Sequence, residues 1–436
     1  MITMKAPQLF NRSLFYLVVF NALIKPIWIL GIDRWVQNEV GPSAYGNYFS
    51  VWGLTLTLGF LLDLGLSTRI QREAAEATDT SYQLSGTFRA KLVLFSVYFL
   101  CIALVGWLDA SVPTGLLWGV AVIQALQSFY VYLRAWVTAA QRFAADVWFS
   151  VLDKMLLIPL CLIWLLRIWE PLPITVSVFI GLQLLTLSLS IAIVLVFCSG
   201  TGIKILDRAA FTLSDWKRSW PYMGIVLLMS ALTRLDGYWL LQWHPNGDLE
   251  AGRYATGYRL LDAANMFGYL VASFLLPYLS RQAADKSLIH QAIRNARLGL
   301  MAFSVVAISI VAFFPTTLLS LLYPREAADV SVIWLFLFGS LPGYSLVHVY
   351  GTVLTARGEL RLFQWVIGGA LCVHLLLSFC FIPSMGALGS AMAAWISQVL
   401  AGGGLMFLAH RRMGGPQPYA SYLVVIFTSC AIWFLR

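Results

Sequence analysis

Long apolar runs alternate with short polar connections along the whole chain of 436 residues. Each run holds about 20 residues, the number that an α-helix needs to cross the hydrocarbon core of a bilayer. The pattern predicts a polytopic all-α membrane protein with twelve spans and a short thirteenth helix near 419–435. The twelve predicted spans, numbered in chain order, are 13–40, 44–68, 88–108, 112–137, 147–167, 172–198, 219–242, 254–279, 296–318, 328–354, 361–383 and 386–409.

Charged residues are few, and their distribution follows the predicted loops. The chain is 60% hydrophobic and 11% charged, with a formal net charge of +9. Most of its lysines and arginines fall in connections on the side of the N-terminus. Cytoplasmic loops of membrane proteins carry an excess of these residues, so the N-terminus is predicted to be cytoplasmic. The basic balance therefore indicates topology, and it argues against nucleic acid as a partner.

The two halves of the chain carry a weak internal repeat. Gly46 in the sequence YGNY, at the start of span 2, matches Gly252 in AGRY, at the start of span 8. Arg89 matches Arg297 at nearly the same offset. Because six spans return the chain to its original side, such halves form parallel repeats. The repeat predicts six-helix lobes at 1–205 and 206–413 around a central cavity, and an extra transmembrane segment at 414–436.

Several stretches resemble one family of membrane proteins. They are FNALIKPIWILGIDRWVQNEVGPSAYGNYFS from Phe20, RLDGYWLLQ from Arg234, and LTARGELRLF from Leu354. The chain resembles Wzx-type polysaccharide flippases, in the polysaccharide-transporter branch of the multidrug/oligosaccharidyl-lipid/polysaccharide (MOP) exporter superfamily. The resemblance extends over essentially the whole chain to about residue 412.

This resemblance implies a function and a set of partners. The protein is expected to lie in the bacterial inner membrane and to carry undecaprenyl-diphosphate-linked oligosaccharides between its leaflets by alternating access. The product would serve the synthesis of a surface polymer such as O-antigen, a part of lipopolysaccharide, or exopolysaccharide. The partners would be the lipid-linked oligosaccharide and the bilayer, and other polysaccharide assembly proteins are further candidates. The alternative is an ion-coupled small-molecule or drug antiporter with the same superfamily fold.

Basic residues inside the spans are the candidate contacts for a diphosphate. Lys25 stands beside Pro26 in the middle of span 1, where a charge costs about 2.5–3.5 kcal/mol on insertion scales. Arg234 in span 7 and Arg259 in span 8 could hold phosphate through two parallel hydrogen bonds. The alternative for each is an ion pair that locks the helices. Arg259 and Asp262 share a helix face by their i, i+3 spacing, whereas Arg234 and Asp236, at i, i+2, do not. An Arg–Asp network between spans 7 and 8 is the structural alternative for these four residues.

Three carboxylates in the spans are candidate coupling or cavity charges: Asp63, Asp236 and Asp262. For Asp63 the favoured alternative is a partner for Arg69 at the helix end. Asp33, at the far end of span 1, is expected to be an interfacial charge that reaches water.

Aromatic residues of span 8 are candidates for contact with sugar rings. Tyr254 and Tyr258 could stack on the rings of a saccharide, as could Trp239 and Trp243 of span 7 and its end. Most tryptophans of the chain are better explained as residues of the membrane interface.

Catalytic motifs are missing from the sequence. It holds no G-x-x-x-x-G-K-S/T, no H-E-x-x-H and no G-x-S-x-G, the motifs of nucleotide binding, zinc hydrolysis and serine nucleophiles. The six cysteines form no C-x-x-C pair, and the five histidines have no ligand spacing. The sequence therefore predicts a transporter rather than an enzyme, without a cofactor or a bound metal.

Overall fold

The computed structural model describes residues 16–413, with gaps at 18, 22, 68–69, 71–86, 169–171, 201–212 and 282–285. The part of the chain inside these bounds is helical, with no strand, and each of the twelve predicted spans contains helix. The predicted all-α fold is confirmed. The predicted thirteenth helix lies outside the described residues.

The helices of the described residues are numbered here in chain order. They are α1 (Arg34–Val40), α2 (Pro42–Leu58), α3 (Thr87–Leu108), α4 (Thr114–Ala139), α5 (Phe143–Leu165), α6 (Val176–Gly200), α7 (Leu213–Arg234), α8 (Asp236–Trp243), α9 (Gly247–Arg281), α10 (Lys286–Phe313), α11 (Pro315–Leu322), α12 (Val330–Gly339), α13 (Leu341–Ala356) and α14 (Leu360–Met413). A π-helix, Ile27–Asp33, leads into α1, and a 3₁₀ turn, Gly59–Leu62, follows α2.

Eight helical segments of the described chain are long and apolar enough to cross a membrane, and nine if α7 and α8 form one bent span. The longest, α14, has 54 residues, which would extend about 80 Å as a straight helix. Gly386 interrupts it with a positive φ of 54° and divides it into the two spans that the sequence predicts. The chain is a multi-pass membrane protein.

Several predicted spans are interrupted where the sequence suggests a continuous helix. The π-helix of span 1 begins directly after Pro26, and α11 begins at Pro315. Proline has no backbone N–H to donate to the carbonyl of the preceding turn, so helices end or change winding there. The break between Arg234 and Asp236 in span 7 has no such residue, and its surroundings are described below.

The chain forms two compact units. The first contains residues 1–40 and 54–223, and the second contains 41–53 and 224–436. In the second unit, 89% of the most apolar stretch of the α12–α13 segment is buried inside the protein. A helix that is hydrophobic all round belongs in such a position. The predicted domain boundaries 1–205, 206–413 and 414–436 stay predictions. They were drawn from the sequence repeat, whereas the two compact units are defined by packing.

Candidate functional site

Span 7 is broken in the second unit, at a point flanked by two charges. Helix α7 ends at Arg234, α8 begins at Asp236, and their axes differ by 53°. An arginine at a helix C-terminus and an aspartate at a helix N-terminus each oppose the partial charge of the backbone there. Ser50 of α2 donates a hydrogen bond to the carbonyl of Gly237, at 2.7 Å, and fixes the first turn of α8. The break thus places two opposite charges side by side in the chain.

Arg234 makes a forked ion pair with Asp262 of α9. Its Nη2 lies 3.1 Å from Oδ1 of Asp262, and its Nη1 lies 3.4 Å from Oδ2. The guanidinium stands 5.5 Å from the ring of Tyr258, whose hydroxyl donates to the carbonyl of Thr233 at 2.7 Å. The two charged side chains keep about a fifth of their surface exposed. This geometry suits an oxyanion, because phosphate oxygens fit the same fork as a carboxylate.

Asp236 belongs to a second, fully buried cluster. Ser390 of α14 donates a hydrogen bond to its Oδ1 at 2.6 Å. His374 of α14 places Nε2 3.3 Å from the same oxygen, although the ring N–H is not aligned for a hydrogen bond. Nδ1 of His374 lies 3.1 Å from Oγ of Ser397. Asp236 is 2% exposed and His374 is 0% exposed, so this cluster is cut off from the protein surface.

Arg259 and the two candidate tyrosines are packed inside the second unit. Arg259 is 8% exposed, and its Nε donates to the hydroxyl of Tyr45 at 3.0 Å. Tyr254 and Tyr258 stack on each other at 5.8 Å and both contact the ring of Phe49. In this conformation the tyrosine rings are part of the core. Contact between them and a sugar would require α2 and α9 to separate.

The first unit contains the other two candidates. Lys25 is exposed and lies two residues before the π-helix Ile27–Asp33. Asp63 accepts a hydrogen bond from Ser67 at 2.6 Å and lies 3.5 Å from Nζ of Lys91. Lys91 also donates to the carbonyl of Leu62 at 2.8 Å. The expected partner of Asp63, Arg69, lies outside the described residues.

Several charged side chains outside the predicted site are buried. Lys91, near the start of α3, is 1% exposed. Asp33 is 2% exposed, whereas the sequence predicted a charge that reaches water. Asp153 forms an ion pair with Lys154 at 3.3 Å, and the lysine lies 4.8 Å from the ring of Trp28. The carboxylate and lysine within the apolar run of span 5 were a signal that could have identified this pair.

The predicted candidates therefore fall into separate groups. Arg234 and Asp262 form an ion pair between spans 7 and 8, which is the kind of contact that the sequence offered as the structural alternative. Asp236 points instead to His374, a residue that the sequence gave no reason to select apart from its position in an apolar run. Lys25 and Asp63 belong to the other unit.

Comparisons with known proteins agree with this architecture. The family model described as polysaccharide biosynthesis protein matches residues 12–283. A structure of the lipid II flippase MurJ in an inward closed conformation has a TM-score of 0.69 and 12% identity, covering 98% of this chain and 92% of that one. No curated protein sequence matches the chain significantly.

Structures of two MATE transporters are also similar. A MATE transporter of Vibrio cholerae has a TM-score of 0.61 and 16% identity, covering 93% of this chain and 96% of that one. An inward-facing multidrug resistance MATE transporter of the MOP superfamily has a TM-score of 0.63 and 12% identity, covering 91% and 98%. Identities this low establish the fold alone, whereas the family model matches more than half of the chain. The chain therefore belongs to the polysaccharide biosynthesis protein family and has the fold of the MOP superfamily.

Proposed function

We propose that the protein is a flippase that moves undecaprenyl-diphosphate-linked oligosaccharides from the inner to the outer leaflet of the bacterial inner membrane by alternating access. The observation that carries the proposal is the Arg234–Asp262 fork at the broken span, in a chain of the polysaccharide biosynthesis family. The structural similarity to a lipid II flippase supports it. The product would supply synthesis of a cell-surface polysaccharide, and other polysaccharide assembly proteins are its candidate partners.

The chemistry of the fork fits a diphosphate. Such a head group is negatively charged and cannot enter hydrocarbon unless cations replace its water. Arg234 holds a carboxylate through both terminal nitrogens, at 3.1 and 3.4 Å. A diphosphate could displace Asp262 from this fork with little rearrangement of the guanidinium. Broken transmembrane helices bind charged substrates in many transporters because their free ends carry partial charges and unpaired backbone groups.

The remaining candidates have supporting roles in this proposal. Arg259 follows Tyr258 in α9 and could supply a second cation once its contact with Tyr45 opens. Lys25, an exposed side chain of the first unit, could bind a phosphate as a point charge. Tyr254 and Tyr258 would contact the saccharide only in a conformation that uncovers their rings.

The test is leaflet transfer of a labelled undecaprenyl-diphosphate oligosaccharide in proteoliposomes. We expect R234Q to lose about tenfold or more in transfer rate, because a charged hydrogen-bonding partner of phosphate contributes roughly 1.5–3 kcal/mol. R234K keeps the charge but not the fork, so its rate should lie between R234Q and the unmodified protein.

The matched control is R297K, which alters another partly buried arginine of the second unit. Arg297 donates to the hydroxyl of Tyr350 at 2.9 Å and has no place in the proposed site. Its variant should transfer lipid at the unmodified rate. Equal rates for R234Q and R297K would overturn the role of Arg234, and the same assay on K25A then tests Lys25.

The second candidate function is a small-molecule or drug antiporter. The similarity to two MATE transporters favours it to the extent that a shared fold can. The transfer assay separates the two functions. If the unmodified protein moves no lipid but exchanges a small organic cation for an ion, the antiporter replaces the flippase.

A further inference from the structure

The buried cluster at Asp236 contains a titratable pair whose charge state matters to the fold. Asp236 is the first residue of α8, directly after the break, and His374 lies in α14 ahead of its interruption at Gly386. Nε2 of His374 is 3.3 Å from Oδ1 of Asp236. Neither side chain reaches the protein surface, since their exposed fractions are 0% and 2%. The pair joins α8, the second half of the broken span, to α14.

The groups that face this pair come from each helix packed against α8. Tyr254 and Tyr258 of α9 and Tyr344 of α13 interact electrostatically with Asp236. From α2, Phe49 and Ser50 contact Gly237, and neither titrates. The cation nearest in the chain, Arg234, is engaged by Asp262. His374 is therefore the basic group that faces the Asp236 carboxylate most directly.

The number of protons on the pair sets its net charge. With one proton shared between imidazole and carboxylate, the pair is neutral overall, whether written as an ion pair or as two neutral groups. Without that proton the pair carries a net negative charge, although both of its side chains are buried. An uncompensated buried charge of this kind costs several kcal/mol. The closed arrangement of α8 against α14 thus requires the proton, and losing it favours a conformation in which water reaches the break.

Two further buried side chains of α14 have polar atoms without a hydrogen-bond partner among the described residues. In the described part of the chain, Oγ of Ser378 and both amide atoms of Gln398 are buried without a hydrogen-bond partner. Ser378 lies one helical turn after His374, on the same face, and Gln398 follows Ser397, which contacts the His374 ring. A buried polar group left unpaired costs about 1–3 kcal/mol. These groups are suited to hold water that carries a proton to the pair.

We propose that Asp236 and His374 together form a proton-binding site that couples proton uptake and release to opening of span 7 at its break. Proton uptake forms an N–H bond on His374 or an O–H bond on Asp236. Proton release breaks that bond and passes the proton to water on the other side of the membrane, and no other bond changes. Transport use of this site rests on the proposed flippase function, but proton binding itself does not.

The first test needs no substrate. Hydrogen exchange of backbone amides in 235–243 is measured on the full-length protein in lipid nanodiscs between pH 6 and pH 8, corrected for the intrinsic rate. We expect protection to fall as the pH rises in the unmodified protein. D236N removes the charge in both states, so its α8 should stay protected at every pH. H374Q should also lose the pH dependence.

The matched control is H348Q. His348 is another buried histidine of the second unit, but it faces the neutral amide of Asn265 at 2.9 Å rather than a carboxylate. This variant should keep the pH dependence of the unmodified protein. Exchange that does not vary with pH in the unmodified protein, or variation that survives in both D236N and H374Q, would overturn the proposal.

The second test uses lipid transfer in proteoliposomes with an imposed pH gradient or an imposed sodium gradient. The pH gradient should accelerate transfer by the unmodified protein and by H348Q. For D236N the acceleration should be about tenfold smaller or absent. If only the sodium gradient accelerates transfer, the site binds a metal cation, and the proposal of a proton site is overturned. If the unmodified protein transfers no lipid under any gradient, the flippase proposal fails, and the exchange experiment still decides the proton site.

Discussion

The close contact between the two repeat glycines gives the sharpest prediction of the structure. A Cβ atom built on Gly46 of α2 would lie 2.6 Å from the backbone nitrogen of Gly252 in α9 and would collide with the carbonyl of Asp248. A Cβ on Gly252 would meet the backbone of Pro42, with its Cα at 2.8 Å. The colliding atoms are backbone, so neither helix can yield by changing a rotamer. Gly46→Ala must therefore push α2 and α9 apart.

The magnitude follows from two opposing terms. Overpacking of a tight contact costs about 1–3 kcal/mol, and a backbone collision belongs at the upper end. Alanine in place of glycine gains up to about 1 kcal/mol of helix propensity. The net loss is about 2 kcal/mol, which corresponds to a melting temperature lower by roughly 4–8 °C for a unit of this size.

The assay is thermal unfolding of the detergent-purified protein, followed by tryptophan fluorescence. Gly299→Ala is the matched control, because that glycine lies inside α10 and an added Cβ meets nothing within 4 Å. It should melt at or above the temperature of the unmodified protein. The reasoning is refuted if Gly46→Ala melts no lower than Gly299→Ala. Gly46→Ala combined with Gly252→Ala should cost less than the sum of the two, because both open the same contact.

Three further predictions follow from single contacts. Lys91→Met should lower the free energy of unfolding by about 2 kcal/mol, because the buried ammonium loses its hydrogen bonds to Leu62 and Ser128, at 2.8 and 2.7 Å. Denaturation midpoints measure this loss, and an unchanged midpoint contradicts the prediction. Asp262→Asn should strengthen stabilisation by inorganic pyrophosphate in a thermal-shift assay, since it frees the Arg234 fork, and the gain should vanish when R234Q is added. Gly386→Ala should destabilise α14 by about 1–3 kcal/mol, because φ is 54° and the new Cβ meets the Glu250 carboxylate; a melting temperature equal to that of Gly299→Ala would contradict this.

The repeat shows how far sequence reasoning reaches into the packing. The match of Gly46 with Gly252 was visible in the sequence. The structure shows that the two residues lie at a close crossing of α2 and α9. The charge pairs show the limit. The sequence placed Asp262 on the helix face of Arg259 and also allowed an Arg–Asp network between spans 7 and 8. The structure pairs Asp262 with Arg234 across these two spans. Which of two arginines approaches a carboxylate depends on how the helices are placed, and i, i+3 spacing does not contain that information.

The sequence by itself predicted the twelve spans up to residue 413, each of which contains helix in the described residues, and the candidate charges within them. It could do so because lipid offers the backbone no hydrogen bonds, so each apolar run of sufficient length must become a helix. Only the tertiary structure decided where the spans break, that Lys91 and Asp33 are buried, and that His374 faces Asp236 from 138 positions away along the chain. These features arise from contacts between distant segments, whose energies appear only when the helices pack.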